Sequence, residues 1–352
     1  MFIVGLGTAV PPNRYTQPQC WEALVRAAPR MRLGGPAQAL LRRVLLGDNG
    51  IRTRAFALDS LDEVFAADPD TLHRRFAVHA PALACEAGGN ALRRAGREPR
   101  QVDAVIVSTC TGYLCPGLTS YVAENLGLRP DVLPLDLVGQ GCGAALPNLR
   151  TAVALLHAGQ AETVLSICVE VCSAAFYLDD DPGVLISACL FGDGAGAAVL
   201  STALGRATRR VEWKAARSLV NPAEREALRF QQNAGMLRNR LAPQVPELAA
   251  HHAASVLDDL LQQRGLARRQ IGTWILHAGG RKVLAALRDR FGLGEADIRW
   301  SAQTLLDYGN MSSAFVYFAL DAALRGNAPG GWWWLTAFGA GFSSHGALLK
   351  VV

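Results

Sequence analysis

The sequence predicts an α/β protein built from two similar halves, and three observations lead to this prediction. Half of the 352 residues are hydrophobic and only 18% are charged, as expected of a chain with a large buried core. Short apolar segments of strand length alternate with longer segments of helical period. Patterns of the first half recur in the same order in the second half. We expect the halves to cover residues 1–205 and 206–352.

The first half is predicted to alternate between buried strands and helices. Aliphatic runs that end in glycine, proline or polar turns predict strands over 2–5, 102–109 and 163–171, and a glycine-rich turn entering a strand over 190–200. Helical periodicity predicts helices over 21–43 (broken at 34–36), 79–97, 120–126 and 143–157. The run 102–109 is apolar throughout, which indicates a sheet covered on both faces. The acidic run 179–181 is expected to be a solvated loop.

The second half shows the same alternation after a segment, 211–240, that has no clear period. The pattern predicts helices over 246–264, 282–291 and 311–325, and strands over 273–276 and 332–336. The His251-His252 pair is expected at the surface of the first of these helices.

Four pairs of segments define the repeat. VDAVIVSTCTG parallels IGTWILHAGG, TVLSIC parallels WWWLTAF, and LFGDGAGAAVL parallels AFGAGFSSHGALL. The turn and helix that carry Cys142 parallel those that carry Asn310. Equivalent loops of two such halves would meet across a pseudo-two-fold axis. We therefore expect Cys142, His277 and Asn310 to converge on one site.

Cys142 lies in a small-residue turn, VGQGCGAAL, that enters a helix. A helix dipole and free backbone N–H groups favour the thiolate at such a position. The alternative is that Cys142 is one more buried, inert cysteine. A histidine and an asparagine in matching settings favour the reactive interpretation.

A cysteine, a histidine and an asparagine suit chemistry on a thioester. The thiolate accepts the acyl group, and the histidine can pair with the thiolate and donate an N–H to an enolate oxygen. The asparagine offers a second, neutral donor to that oxygen, and losing one such donor typically costs ~2.7–4 kcal/mol. The set therefore suits decarboxylation of a malonyl thioester followed by carbon–carbon bond formation.

Other enzyme classes fit the motifs less well. Cysteine proteases also use cysteine, histidine and asparagine, but their local cysteine signature is absent. No GxSxG elbow of an α/β-hydrolase occurs, and the glycines at 192–196 form GDGAG instead of the dinucleotide-binding GxGxxG.

The net charge of +5 indicates anionic small ligands, and not nucleic acid. The basic residues are dispersed except for one cluster, which is either a solvated face or a clamp for an anionic ligand: Arg42, Arg43, Arg52 and Arg54. Eight cysteines without a CxxC pair argue against disulfides or a zinc site and favour a reducing cytoplasm. We expect no signal peptide and no membrane span, since no uncharged run reaches ~18 residues.

Five motifs carry a resemblance to a known family. In chain order they are GQGC with its following helix, LFGDGAGAAVL, LHAGGRKVL, YGNMSSAF and AFGAGFSSHGALL. Together they resemble the bacterial type III polyketide synthases of the chalcone synthase-like family. The resemblance implies the thiolase fold, five αβαβα layers built from two similar halves, and a homodimer. It implies condensation of an acyl-CoA starter with malonyl-CoA, with no cofactor, metal or carrier protein.

The resemblance also assigns roles to residues. Cys142 would carry the starter and the growing chain, while His277 and Asn310 would assist decarboxylation and hold the thioester carbonyl and enolate. Phe191 would be the gate between the CoA tunnel and the cavity. The residues that would bind substrate or shape the cavity are Cys110, Thr111, Cys172, Ser312, Gly339 and Gly341, with Cys115 reaching into the partner's site. The residues expected to contact CoA are Arg52, Arg54, Gly279 and Gly280.

Some positions depart from the plant pattern. AFGAG, residues 337–341, replaces GFGPG in the loop that shapes the cyclisation cavity, and the second phenylalanine gate has no clear match. Cys110 and Cys172 stand where plant enzymes often carry threonine; they are alternatively small buried filler. The CTGYLCPG loop and GCGAALPNL helix resemble bacterial members that often take fatty acyl starters and make alkylresorcinols or alkylpyrones, which we therefore expect here. The expected products are pyrones, resorcinols or related aromatic polyketides.

Three rival functions remain. A ketoacyl synthase III that uses acyl carrier protein would be expected to carry GHGN where this chain has YGN. A degradative thiolase would need a second cysteine in the terminal glycine loop, which has serines and a histidine instead. A non-catalytic acyl-binding protein would not need Cys142, His277 and Asn310 together.

Overall fold

The structure is a computed structural model that describes residues 1–27, 33–65, 68–204 and 209–352. The predicted boundary between the halves, at 205/206, lies outside the described residues. Among the described residues, no helix is both long enough and apolar enough to cross a membrane.

The described residues form thirteen strands and ten α-helices. The strands are β1 (Phe2–Ala9), β2 (Arg14–Thr16), β3 (Thr53–Ala55), β4 (Ala104–Ser108), β5 (Leu133–Leu137), β6 (Thr163–Glu170), β7 (Gly194–Ser201), β8 (Val211–Val220), β9 (Leu228–Asn233), β10 (Met236–Leu241), β11 (Ile271–Leu276), β12 (Gly331–Gly339) and β13 (Ser343–Val351). The helices are α1 (Gln17–Ala27), α2 (Gly35–Leu46), α3 (Pro69–Ala95), α4 (Leu118–Leu126), α5 (Ala145–His157), α6 (Pro182–Leu190), α7 (Val245–Arg264), α8 (Arg281–Phe291), α9 (Glu295–Tyr308) and α10 (Phe315–Arg325).

The sheet topology confirms the internal repeat. Nine strands form one sheet in the order β11-β12-β13-β8-β1-β7-β6-β4-β5. In the first half, β4 and β6 are parallel, and β7 and β1 follow antiparallel. In the second half, β11 and β12 are parallel, and β13 and β8 follow antiparallel. The halves therefore share strand order and direction, and they join where β1 pairs with β8. Among the strands that the first half contributes to this sheet, only β5 lacks a counterpart among the described strands of the second half.

The helices complete a five-layered αβαβα arrangement. Helix α3 covers one face of β1, β6 and β7, while α7 covers β8, β12 and β13 on the far side. Helices α5 and α10 lie between the two halves of the sheet: α5 contacts β4 and β6 as well as β12 and β13, and α10 contacts β1 and β7 as well as β11 and β12. The middle layer therefore begins with the two turns that precede α5 and α10.

Small residues let α3 lie close to the sheet. A Cβ added to Gly5 would lie 2.3 Å from the carbonyl oxygen of Ala91, and one added to Gly7 would lie 2.1 Å from that of Ala87. Both alanines are completely buried. Glycine on the strand and alanine on the helix are thus required by the close packing of the outer layer.

Two local expectations were wrong. Asp181 is not merely solvated, because its side chain accepts hydrogen bonds from the N–H groups of Gly183 and Val184 and so caps α6. His252 is buried, and its Nε2 lies 2.6 Å from the Glu224 carboxylate, so only His251 of the pair is exposed.

Candidate active site

Cys142 lies in a 3₁₀ turn, Gly141–Gly143, that leads into α5. Its side chain is buried, and Sγ accepts a hydrogen bond of 3.2 Å from the hydroxyl of Ser312. Gly141 has φ +55, and a Cβ there would lie 3.0 Å from the backbone nitrogen of Ala340. The turn therefore needs glycine for its conformation and for its contact with the terminal glycine loop.

The terminal loop of the second half packs directly on this turn. A Cβ added to Gly339 would lie 2.3 Å from the carbonyl oxygen of Gln140 and 2.5 Å from the nitrogen of Gly143. Gly341 has φ +133, a conformation that L side chains rarely adopt. The predicted meeting of loops from the two halves is confirmed here, because these glycines bring the backbone of one half against the nucleophile turn of the other.

His277 follows β11 and is completely buried. Its ring is held between Phe315 and Phe338, whose centroids lie 5.4 Å and 5.0 Å away. Neither ring nitrogen has a hydrogen-bond partner among the described residues. Burial lowers the pKa of His277 to about 3, so its imidazole is neutral at pH 7 with both nitrogens available to a ligand.

Asn310 is tied into both halves. Its Nδ2 donates a hydrogen bond of 3.2 Å to the carbonyl of Gly279, two residues after His277. Its Oδ1 accepts from the N–H of Ser312 at 2.9 Å, and its own N–H donates to the carbonyl of Leu190 at 2.9 Å. An amide nitrogen has two hydrogens, so one N–H of Asn310 remains for a substrate oxygen.

The resting protonation state differs from the predicted thiolate. Burial raises the pKa of the Cys142 thiol to about 12 and outweighs the stabilisation that the Ser312 hydroxyl gives to the sulfur. Because His277 makes no hydrogen bond to Cys142, the expected ion pair is not formed in this conformation. The resting site therefore holds a neutral thiol and a neutral imidazole.

Glu170 is a site residue that the sequence analysis missed. It ends β6 and is completely buried. Its carboxylate accepts hydrogen bonds from the Thr111 hydroxyl at 2.9 Å, the Cys110 N–H at 3.1 Å and the Ser312 hydroxyl at 3.2 Å, and it also accepts from the Ser313 hydroxyl. Burial raises the pKa of Glu170. Its one sequence signal is a lone acid within the apolar strand TVLSICVEV, where an unpaired charge would be costly.

Four predicted cavity residues surround the nucleophile. Cys110 Sγ lies 3.3 Å from the Ser312 hydroxyl, which also contacts Cys142. Cys172 is buried, and burial together with the nearby Asp193 carboxylate raises its pKa well above the ordinary value. The Thr111 hydroxyl donates a hydrogen bond to the Glu170 carboxylate. Cys115 does not join this group: it is exposed in the loop before α4.

Phe191 is the C-cap residue that follows α6, and its backbone forms a parallel β-bridge with Asn310. Its ring is buried in one apolar cluster with Cys142 and Cys172. The structure thus places the predicted gate residue beside both the nucleophile and the amide.

The expected CoA contacts separate into two groups. Arg52 is exposed and pairs with Asp307 at 2.5 Å. Arg54 does not fit a phosphate contact, because its side chain is buried and its Nη1 donates to the carbonyls of Ala188 and Phe191. The second group is the two glycines. The carbonyl of Gly279 accepts a hydrogen bond from the Asn310 side chain, and Gly280 is the N-cap residue of α8.

Comparisons with known proteins identify the family of the chain. Residues 62–221 match the family described as FAE1/Type III polyketide synthase-like protein, and residues 214–352 match the C-terminal domain of chalcone and stilbene synthases. The 3,5-dihydroxyphenylacetyl-CoA synthase of Streptomyces toyocaensis is 31% identical over 363 residues, covering 99% of this chain and 89% of that protein. The 1,3,6,8-tetrahydroxynaphthalene synthase of Streptomyces peucetius subsp. caesius is 32% identical, covering 99% and 92%.

The solved structure of the 1,3,6,8-tetrahydroxynaphthalene synthase from Streptomyces coelicolor A3(2) superimposes with a TM-score of 0.89 at 23% identity, covering 99% of both chains. This likeness confirms the predicted fold. The fold and the facing loops define a condensing enzyme of the thiolase fold, an acyltransferase. The chain belongs to the chalcone synthase-like family of type III polyketide synthases.

Proposed function

We propose that this enzyme extends a CoA-bound starter with malonyl-CoA on Cys142 and cyclises the product to an aromatic polyketide. One observation carries the proposal most directly. A hydrogen-bonded chain runs from the Cys142 sulfur through Ser312 and Asn310 to the carbonyl of Gly279, beside His277. The nucleophile and one candidate oxyanion donor, Asn310, are thus held by one network, which ends two residues from the second candidate donor, His277.

Loading begins at the sulfur of Cys142. The sulfur attacks the thioester carbonyl of the starter, a new carbon–sulfur bond forms, and the CoA thiolate leaves. The neutral imidazole of His277 accepts the thiol proton and returns it to the departing CoA sulfur. The acyl group remains activated as a thioester on Cys142.

Extension uses the two N–H donors. The carbon–carbon bond to the malonyl carboxylate breaks, carbon dioxide leaves, and the electron pair forms an enolate. Its oxygen accepts hydrogen bonds from the free N–H of Asn310 and from an N–H of His277. The enolate carbon attacks the acyl group, and the Cys142 thiolate is released for the next round.

We propose malonyl-CoA or another short acyl-CoA as the starter. The two relatives are named for a dihydroxyphenylacetyl thioester and a tetrahydroxynaphthalene, products without an alkyl chain. Neither name contains a fatty acyl group, which supports a short starter over the fatty acyl starter expected from the sequence.

We propose that the enzyme works as a homodimer in the cytoplasm, on free CoA thioesters and without carrier protein. Strand β5 lies at one edge of the sheet, so its outer side has no hydrogen-bonded neighbour among the described strands. Three large hydrophobic side chains are exposed within β5 or in the loops near it in the chain: Tyr113, Leu133 and Val138. The exposed Cys115 lies in the same region. All eight cysteines are free thiols, as a reducing compartment requires. A monomeric mass by light scattering would contradict the dimer.

Purified enzyme incubated with malonyl-CoA alone, and with short and fatty acyl-CoA starters, tests the function. We expect malonyl-CoA alone or with a short starter to give an aromatic polyketide or pyrone by mass spectrometry. Faster turnover with long acyl-CoA would return the assignment to alkylresorcinol or alkylpyrone synthesis. Condensation only after addition of acyl carrier protein would instead indicate a ketoacyl synthase.

A further inference from the structure

Arg54 is a buried arginine whose visible partners are neutral. Its side chain is 2% exposed, and its guanidinium lies over the ring of Phe56, with Cζ 4.8 Å from the centroid. Nη1 donates to the carbonyls of Ala188 at 2.6 Å and Phe191 at 2.8 Å, and Nε donates to the side chain of Gln17 at 3.1 Å. Burying a guanidinium costs free energy unless its hydrogen bonds offset the lost hydration. The groups that accept these bonds therefore indicate what Arg54 stabilises.

Those groups form the C-terminal end of α6. The last carbonyls of a helix have no partner within the helix, and they attract a cation. Gln17 completes the cap, because its Nε2 donates to the carbonyl of Cys189 at 2.9 Å while its Oε1 accepts from Arg54. The side chains of Gln17 and Arg54 therefore fix the final turn of α6 and its C-cap residue, Phe191.

The same turn holds the catalytic amide. The N–H of Asn310 donates to the carbonyl of Leu190, and the N–H of Gly192 donates to the carbonyl of Asn310 at 3.0 Å. Arg54 also contacts the other strand of this bridge, since a Cβ added to Gly309 would lie 2.8 Å from Arg54 Cγ. The aliphatic stem of Arg54 thus packs against the turn of Asn310, while its guanidinium binds the segment of Phe191.

We propose that Arg54 is a positioning residue that sets the place of Asn310 and Phe191 relative to the Cys142 thiol. The inference rests on the proposed function, because it assigns Arg54 an effect on malonyl decarboxylation. It replaces the phosphate contact expected from the sequence with a role inside the enzyme. Arg54 itself touches no reacting atom, so its effect passes through the backbone of residues 188–192 and 308–310.

The test compares two rates in Arg54→Met. Decarboxylation of malonyl-CoA uses Asn310, whereas alkylation of Cys142 by iodoacetamide depends on the access to the sulfur and on its ionisation and not on the Asn310 donor. We expect kcat for decarboxylation to fall by roughly 10²-fold, the effect typical of a catalytic group displaced by about 1 Å. The alkylation rate should stay that of the wild type. A merely structural role would lower decarboxylation in proportion to the folded fraction and would speed alkylation, because unfolding exposes the buried Cys142 thiol.

Three further variants keep the test decisive. Arg54→Lys retains the charge without the planar fork and should recover part of the activity. Gln17→Met leaves both carbonyl bonds of Arg54 in place and should lose less activity. Arg238→Met is the matched control, because Arg238 pairs with the cap residue Asp181 at the opposite end of α6, at 2.8 Å. We expect it to lower stability and leave kcat for decarboxylation unchanged.

The outcomes separate this inference from the function on which it rests. Wild-type enzyme that releases no carbon dioxide from malonyl-CoA would overturn the proposed function. Active wild-type enzyme would overturn the role of Arg54 if Arg54→Met has an unchanged kcat, or if its kcat falls only in proportion to the folded fraction while alkylation of Cys142 speeds up. If Arg54→Met does not fold, the same two rates in Arg54→Lys and Gln17→Met decide the question.

Discussion

At the scale of single residues, the site depends on buried polar groups that hold one another. Ser312 shows this most clearly, since its hydroxyl lies within 3.3 Å of two thiols and of the Glu170 carboxylate. Its φ of +50 places it in a region that non-glycine residues seldom occupy. Such conformations cluster at functional sites, where the surrounding structure holds them. Ser312 is therefore the point at which the nucleophile and the buried acid are coupled.

Glu170→Gln should change how stability depends on pH. Burial raises the folded-state pKa of Glu170 above its ordinary value of 4.5, so the folded protein holds this proton more tightly than the unfolded chain does. As pH rises from 4.5 through the folded pKa, ionisation therefore removes stability. The free energy of unfolding of wild type, relative to Glu170→Gln, should fall by about 1.4 kcal/mol per pH unit across that window.

Urea unfolding of both proteins at a series of pH values measures this difference. Glu162→Gln, the same substitution at an exposed glutamate, is the control. A wild-type advantage that grows with rising pH would show that hydrogen bonds to the Glu170 carboxylate outweigh its desolvation.

Sequence reasoning found the residues that carry recognisable chemistry and missed those defined by distant partners. Cys142, His277 and Asn310 stand in motifs, and the structure brings their loops together. The proposed roles of Glu170 and Arg54 depend on hydrogen bonds to residues far along the chain, Ser312 and Phe191 respectively. A basic cluster in the sequence does not reveal that one of its arginines turns inward.

At the scale of elements, the site is built from turns that precede helices and follow strands. The 3₁₀ turn before α5, the loop after β11 and the turn before α10 supply the three side chains that we propose as catalytic. The link between β12 and β13 then closes over the nucleophile turn. Gly339 is the closest point of this contact, and no side chain fits there.

Gly339→Ala should displace the turn of Cys142. Its Cβ would meet the backbone of Gln140 and Gly143 at distances that only a shift of the turn relieves. We expect condensation to fall by roughly 10²-fold, because the nucleophile moves relative to the donors. Gly272→Ala is the control, since the nearest atom to its Cβ would be 3.7 Å away and activity should be retained. Equal activity of both variants would contradict the proposed packing.

Several elements were not predictable from local pattern. Helix α6 is apolar throughout, so it shows little helical period, and its start depends on the Asp181 cap. Strand β8 pairs with β13 along its whole length and with β1 only at Val211 and Glu212, and its second half is largely exposed. The β9–β10 hairpin has mostly polar, partly exposed residues. In each case tertiary contacts decide the structure, and the sequence period is weak.

At the scale of the whole molecule, neither half contains a complete site. Cys142 and Glu170 come from the first half, and His277, Asn310 and Ser312 come from the second. The repeat seen in the sequence predicted this meeting, because equivalent loops of two halves face each other. The repeat could not predict the cavity that the side chains jointly leave, which sets starter length and ring closure.

We propose that Cys142 tethers the growing polyketide while His277 and Asn310 perform decarboxylation. Carbon dioxide release and polyketide formation from malonyl-CoA, measured together in Cys142→Ala, test it most directly. Cys168→Ala, at another buried cysteine, is the control and should keep both activities. We predict that Cys142→Ala loses polyketide formation but still releases carbon dioxide, and that adding His277→Ala abolishes the release. Polyketide formation at the wild-type rate in Cys142→Ala would contradict the account.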